Sequence, residues 1–137
     1  MKSIDDCRMI EMGKIERPEG NLTVLENGKN APFDIKRVYY LYDVPGGESR
    51  GSHGHKQLQQ ILVAVSGSFS VTLDDGQSQR TYLLNHPYQG LYIAPGIWRT
   101  LDDFSSGAVC MALTSDVYHE DDYIRNYDDF LKFRADD

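Results

Sequence analysis

Residues 68–74 alternate polar and apolar side chains one by one, and Asp75-Gly76 follows them directly. Side chains on a strand point to opposite faces in turn, so Phe69, Val71 and Leu73 share one face and are predicted to point inward. Asp-Gly is a strong hairpin signal, because the tight turn joining two strands needs residues that tolerate positive φ. The returning strand is expected at residues 79–84. Residues 60–65 form a nearly continuous apolar run, as for a strand buried on both faces. Residues 35–43, rich in tyrosine and β-branched side chains, read as another strand, and residues 21–26 as a short one through Leu22 and Val24. Residues 90–94 and 109–114 complete the set, punctuated by Pro95-Gly96 and by Gly107. Short strands at this spacing with no helix between them predict an all-β sandwich or barrel.

The period changes near the end of the chain. Tyr123, Ile124, Tyr127, Phe130 and Leu131 fall at i, i+1, i+4, i+7 and i+8, which predicts a helix laying one apolar stripe on the barrel. No linker, repeat or low-complexity segment interrupts residues 1–137, so one domain is expected. No run approaches the roughly 18 apolar residues of a membrane span, and the N-terminal segment lacks the apolar core of a signal peptide. Cys7 and Cys110 have no metal-type spacing; they suit a reducing cytoplasm, with a single disulfide left open. The net charge of −7 argues against a nucleic-acid polymer as partner. A small anion would need a local cluster of cations, for which Arg37, Arg50, Lys56 and Arg99 are the candidates.

His53 and His55 stand one residue apart in a segment punctuated by glycine. On a strand both imidazoles face the same way, with Cα atoms about 6–7 Å apart. Imidazole titrates near pH 6.5 when unperturbed, so such a pair can accept and return protons on adjacent atoms of one substrate. The spacing resembles the first motif of the cupin superfamily, small jelly-roll barrels that carry a His-x-His pair into the interior. That motif continues to a glutamate, where this chain has Gln60. The second cupin motif, recognisable from Gly90 to Gly96, supplies a further histidine, where this chain has Trp98 and Arg99. Gln60 is a weak neutral donor and a guanidinium cannot ligate a cation. His86 and His119 fall in no ligand spacing, and a catalytic metal takes three protein ligands. A metal-free site is therefore expected. A metal-dependent cupin enzyme and a non-catalytic sugar-binding cupin stay open as alternatives.

Four segments together are more specific. Residues 35–43 around Tyr39, residues 50–56 around the histidine pair, residues 90–98, and residues 121–130 around Tyr123 resemble the dTDP-4-oxo-6-deoxyglucose 3,4-ketoisomerases, in order along nearly the whole chain. The resemblance implies a cupin-type jelly-roll β-barrel with a short C-terminal helix, needing neither metal nor cofactor. It implies a homodimer with exchanged N-terminal strands. The substrate it implies is a dTDP-linked 4-keto-6-deoxy sugar, whose ketone moves from C4 to C3 through an enediol-type intermediate on the way to 3-amino-3,6-dideoxy sugars. By matching motif positions, His53 is expected to be the base and His55 its partner in proton shuttling, with Tyr39 a sugar contact or secondary proton donor. Arg50 and Arg37 are expected at the diphosphate, with Lys56, Gln60 and Arg99 as further substrate contacts. Arg99 stands where relatives carry Arg or His. Glu19 stands in a segment that often reads Arg-Gly in the family.

Overall fold

The computed structural model describes residues 1–136. Its first strands are β1 (Arg8–Glu11), β2 (Arg37–Leu41), β3 (Arg50–His55), β4 (Gln60–Ser66) and β5 (Phe69–Asp74). They are followed by β6 (Gln79–Leu84), β7 (Gln89–Ile93), β8 (Trp98–Asp102), β9 (Val109–Thr114), the two-residue β10 (Tyr123–Ile124) and one helix, α1 (Tyr127–Ala135). Two five-stranded sheets result, in the orders β1-β7-β4-β9-β2 and β10-β3-β8-β5-β6. Each pairing is antiparallel. This is the all-β architecture the residue pattern predicts, arranged as the cupin-type jelly roll that the resemblance implies.

The alternation in β5 does what was expected of it: Phe69, Val71 and Leu73 have no exposed surface. They meet Leu62, Leu91, Ile93 and Ala112 of the opposite sheet in one core. Fully burying each such side chain contributes about 1.5–3 kcal/mol. The run in β4 is buried on both faces because a second, smaller cluster covers its outer side, where Ile61 and Val63 pack with Leu25, Phe33 and Ile35.

Two expectations are corrected. Residues 21–26 form no strand ladder; Leu22 makes a single bridge to Ile15, and Leu22 and Val24 are 54% and 45% exposed. Their alternation has no second sheet to face. The C-terminal stripe is not one helix. Tyr123 and Ile124 are a strand paired with His55 and Gly54, and the helix starts only at Tyr127. Asn126 caps it, its side chain accepting the Asp129 N–H at 3.1 Å. Phe130 alone of the stripe inside the helix is fully buried; Tyr127 and Leu131 are exposed. Strand β8 was missed as well. One of its inward positions is Arg99 and another is Leu101, and a cation in an inward slot hides the strand's period.

Candidate active site

The strand carrying the histidines is shaped by two glycines. Gly51 has φ of +65° and lies in the bulge that shifts the β3–β8 register between Arg50 and His53. Past the bulge His53 is paired directly with Arg99. Gly54, between the two histidines, lets α1 pack on the other face of the strand. A Cβ there would lie 3.3 Å from the Ile97 carbonyl and 3.4 Å from the Phe130 ring. The His-Gly-His spacing thus combines two inward imidazoles with a helix packed close behind them.

His53 and His55 meet edge to face, with ring centroids 4.9 Å apart. Tyr123 of β10 packs on both rings, at 5.0 and 4.3 Å. Arg99 donates from Nη2 and Nε to His53 Nε2, at 2.9 and 3.3 Å, and from Nη2 to the Tyr39 hydroxyl at 3.2 Å. Arginine has only donors, so His53 Nε2 is the acceptor and the ring proton of the neutral imidazole sits on Nδ1. On the far side His55 Nδ1 lies 3.1 Å from Asp122 Oδ2. An ionised carboxylate only accepts, so here too the proton is on Nδ1. That leaves His55 Nε2 with a free lone pair, buried and without a partner.

Arg99 is 2% exposed, and among the described residues no carboxylate pairs with it. Its Nη1 is buried without a partner. The site therefore carries an uncompensated cation, and both histidines respond. Burial, with Arg99 next, pushes His53 down to about 2. Burial and Arg99 lower His55 to about 4, against the upward pull of Asp122. Both imidazoles are neutral at physiological pH; the lone pair of His55 Nε2 is free, and that of His53 Nε2 is held by Arg99.

A cleft of about 570 Å³ opens over His53, lined by Arg37, Tyr39, Arg50, Arg99, Tyr123 and Arg125 among others. Among the described residues no carboxylate lines it. The local sign is thus opposite to the chain's net charge of −7. Arg37 lies over the rings of Tyr39 and Tyr118, at 5.2 and 5.5 Å, and Arg125 over Tyr123 at 4.1 Å. Of the residues singled out from sequence, His53, Tyr39, Arg37, Arg50 and Arg99 are brought to this cleft. His55 and Lys56 line another, of about 510 Å³, together with Asp122. Gln60 lines neither; it is 2% exposed on β4, its Oε1 without a partner. Asp122, Tyr118, Tyr123 and Arg125 were missed as site residues. Asp122 is one acid in the run from Glu120 to Asp122, and nothing local distinguishes it from its neighbours.

The residues do not suit the metal that many cupins hold. The lone pair of His53 Nε2 is occupied by a guanidinium, whose charge would repel a cation. Among the described residues no three His, Cys, Asp or Glu side chains converge in a ligand geometry.

Residues 5–135 match the family model described as FdtA: WxcM-like, C-terminal. The chain is 48% identical over 128 residues to a TDP-4-oxo-6-deoxy-alpha-D-glucose-3,4-oxoisomerase of Aneurinibacillus thermoaerophilus, covering 93% of this chain and 92% of that one. Among solved structures it is similar to the TDP-quinovose 3,4-ketoisomerase of Campylobacter jejuni, at 44% identity and a TM-score of 0.89 over 94% of this chain and 99% of that one. It is similar also to a histidine-to-asparagine variant of a 3,4-ketoisomerase from Thermoanaerobacterium thermosaccharolyticum in complex with TDP-4-keto-6-deoxyglucose. There the identity is 39% and the TM-score 0.92, over 95% and 94% of the two chains. The jelly roll, the neutral histidine pair and the cationic cleft thus occur in a chain that belongs to the family of the TDP-4-oxo-6-deoxyglucose 3,4-ketoisomerases.

Proposed function

We propose that this chain binds TDP-4-keto-6-deoxyglucose in the arginine-lined cleft and moves its ketone from C4 to C3. The observation that carries this reading is Arg99, a buried guanidinium without a counter-ion that touches both His53 and Tyr39. A cation held in a dry site stabilises negative charge that develops during reaction, and costs no reorganisation at that moment. An enediolate is such a charge.

The steps balance without an outside oxidant or reductant. His53 takes the C3 proton, the C3–C4 double bond forms, and the electron pair of the C4 carbonyl moves onto O4. Arg99 turns its donors from His53 Nε2 to that oxygen, which frees the nitrogen that receives the proton. Tyr39, hydrogen-bonded to the same guanidinium, passes a proton between O3 and O4. Collapse of the enediol puts the ketone at C3 while C4 is protonated, with His55 as the second proton carrier beside His53. Arg37 and Arg50 hold the diphosphate through charge-assisted hydrogen bonds. Lys56 lies on the other side of the histidine pair, and Gln60 is buried in the barrel wall. Protonation at C4 creates the gluco configuration there, with the C4 hydroxyl equatorial, a reading supported by the TDP-quinovose relative. Reduction of the product and the H4 coupling constants report that configuration.

We also infer a homodimer. Support comes from Val38 and Tyr40 on the outer face of the edge strand β2, 51% and 61% exposed, and from exposed Ile15, Leu22 and Val24 in the N-terminal segment. Within one chain β1 pairs with its own β7, so an exchange of N-terminal strands would supply the same register from the partner. Cys7 and Cys110, both buried free thiols, support a cytoplasmic setting. No helix of the described residues is long and apolar enough to cross a membrane.

The test is incubation with TDP-4-keto-6-deoxyglucose in D₂O, followed by NMR. A 3-keto sugar carrying solvent deuterium is expected. His53→Asn keeps the ring's size but not its basicity, and is expected to lower turnover on the order of 10²–10⁴-fold. A sugar that binds but neither isomerises nor exchanges would refute the reading and leave a binding protein.

A further inference from the structure

We propose that Asp122 is a positioning residue for the isomerisation: it holds His55 in the tautomer whose Nε2 lone pair is free, and stabilises the imidazolium that forms when that nitrogen takes a proton. This rests on the reading of His55 as the second proton carrier.

The argument begins with how firmly the carboxylate is placed. Its Oδ1 accepts the Gln57 N–H at 2.8 Å and its Oδ2 the Leu58 N–H at 3.3 Å. Its own carbonyl accepts the Lys56 N–H at 2.9 Å. The next residue, Tyr123, is paired with His55 across the β10–β3 ladder and packs on its ring. Three backbone donors and a strand pairing thus aim Oδ2 at His55 Nδ1, 3.1 Å away. His55 is 3% exposed. In so dry a setting a neutral imidazole left to itself has no fixed tautomer, and an imidazolium has no water to stabilise it. Asp122 supplies what is missing in both cases. The upward influence of Asp122 on His55 opposes burial and Arg99.

The competing role is that of a turn anchor, in which Asp122 merely satisfies two amides. Asparagine separates the two. In Asp122→Asn the carbonyl oxygen remains with the shorter Gln57 N–H contact and the amide NH₂ faces His55. A donor opposite Nδ1 forces the ring proton onto Nε2, the wrong tautomer for accepting one. The shorter anchoring contact to the Gln57 N–H survives, the 3.3 Å contact to the Leu58 N–H goes with Oδ2, and the proton carrier is lost. In serine proteases the same exchange behind a catalytic histidine costs on the order of 10⁴-fold for this reason.

Three measurements test the proposal. In the unaltered protein, ¹H–¹⁵N correlations of the His55 ring are expected to place the proton on Nδ1; a proton on Nε2 overturns the proposal and needs no variant that might misfold. Asp122→Asn is expected to lower kcat on the order of 10²–10⁴-fold with KM within a few-fold, while Asp122→Glu restores most of the loss. In the His55→Asn background Asp122→Asn is expected to cost less than about two-fold, because residues acting as one unit are not additive. Wild-type kcat in Asp122→Asn, or its full cost persisting without His55, overturns the proposal. Wild-type turnover in His55→Asn overturns the reading beneath it, and is told apart by the tautomer, which would still be Nδ1–H.

Discussion

Replacing Arg99 by methionine is expected to make the protein more stable and nearly inactive. Withdrawing a guanidinium from water costs several kcal/mol even after relaxation. Arg99 is returned hydrogen bonds to two neutral partners, His53 and Tyr39. Bonds to a charged group are each worth about 1.5–3 kcal/mol, while the unpartnered Nη1 costs about 1–3 kcal/mol. Methionine fills the slot between Leu101 and the histidine with no charge, and His53 and Tyr39, which line the cleft, regain water. Replacing buried ionic groups by apolar side chains of similar volume is often neutral or stabilising by about 1–4 kcal/mol, and a gain of about 1–3 kcal/mol is expected here. Unfolding entropy of about 2.1 cal/mol/K per residue makes 1 kcal/mol worth about 3.5 °C for this chain, so Tm should rise by about 3–10 °C. Loss of the group facing the enediolate should lower kcat by about 10²–10³-fold, as for removal of an oxyanion donor. Scanning calorimetry reads the first effect and NMR turnover the second. A variant that melts below the wild type refutes the claim that the charge is uncompensated. One that turns over normally refutes the role assigned to it.

Stability should fall as the solution is acidified from neutrality. Both histidines have depressed values in the fold, about 2 and about 4, against about 6.5 unfolded, so their contribution is complete above pH 6.5 and is lost as pH falls toward the folded values. Between pH 7.5 and 5.5 the two together should cost about 2–3 kcal/mol in urea titrations, and an unchanged midpoint would refute the neutral, buried pair. Prolonged chelation should leave turnover intact, given Gln60 and Arg99 at the two ligand positions of the cupin pattern; loss restored by one divalent ion would refute it. Light scattering at micromolar concentration should give twice the chain mass of 15.6 kDa, and Tyr40→Glu on the exposed face of β2 should shift it to the single chain. A wild type that scatters as one chain refutes the dimer.

Much of the fold was legible because it rests on local period. The alternation of Phe69, Val71 and Leu73, the Asp75-Gly76 turn and the return strand Gln79–Leu84 each depend on residues a few positions apart. The C-terminal stripe misled for the same reason. Tyr123 and Ile124 fit the helical phase by spacing alone, and only the pairing of β10 with β3 makes them a strand.

By itself, the sequence determined that two imidazoles would share a face, that the barrel's metal ligands are replaced at Gln60 and Arg99, and which family the chain resembles. These are properties of residue type and short spacing. The tertiary structure decided the electrostatics. Arg99 meets His53 across 46 residues of chain and Asp122 meets His55 across 67. Burial, which no local pattern measures, keeps both histidines neutral. The charge of a side chain can be read from its name, but the free energy of that charge depends on the water and counter-charges left around it, and folding alone sets those.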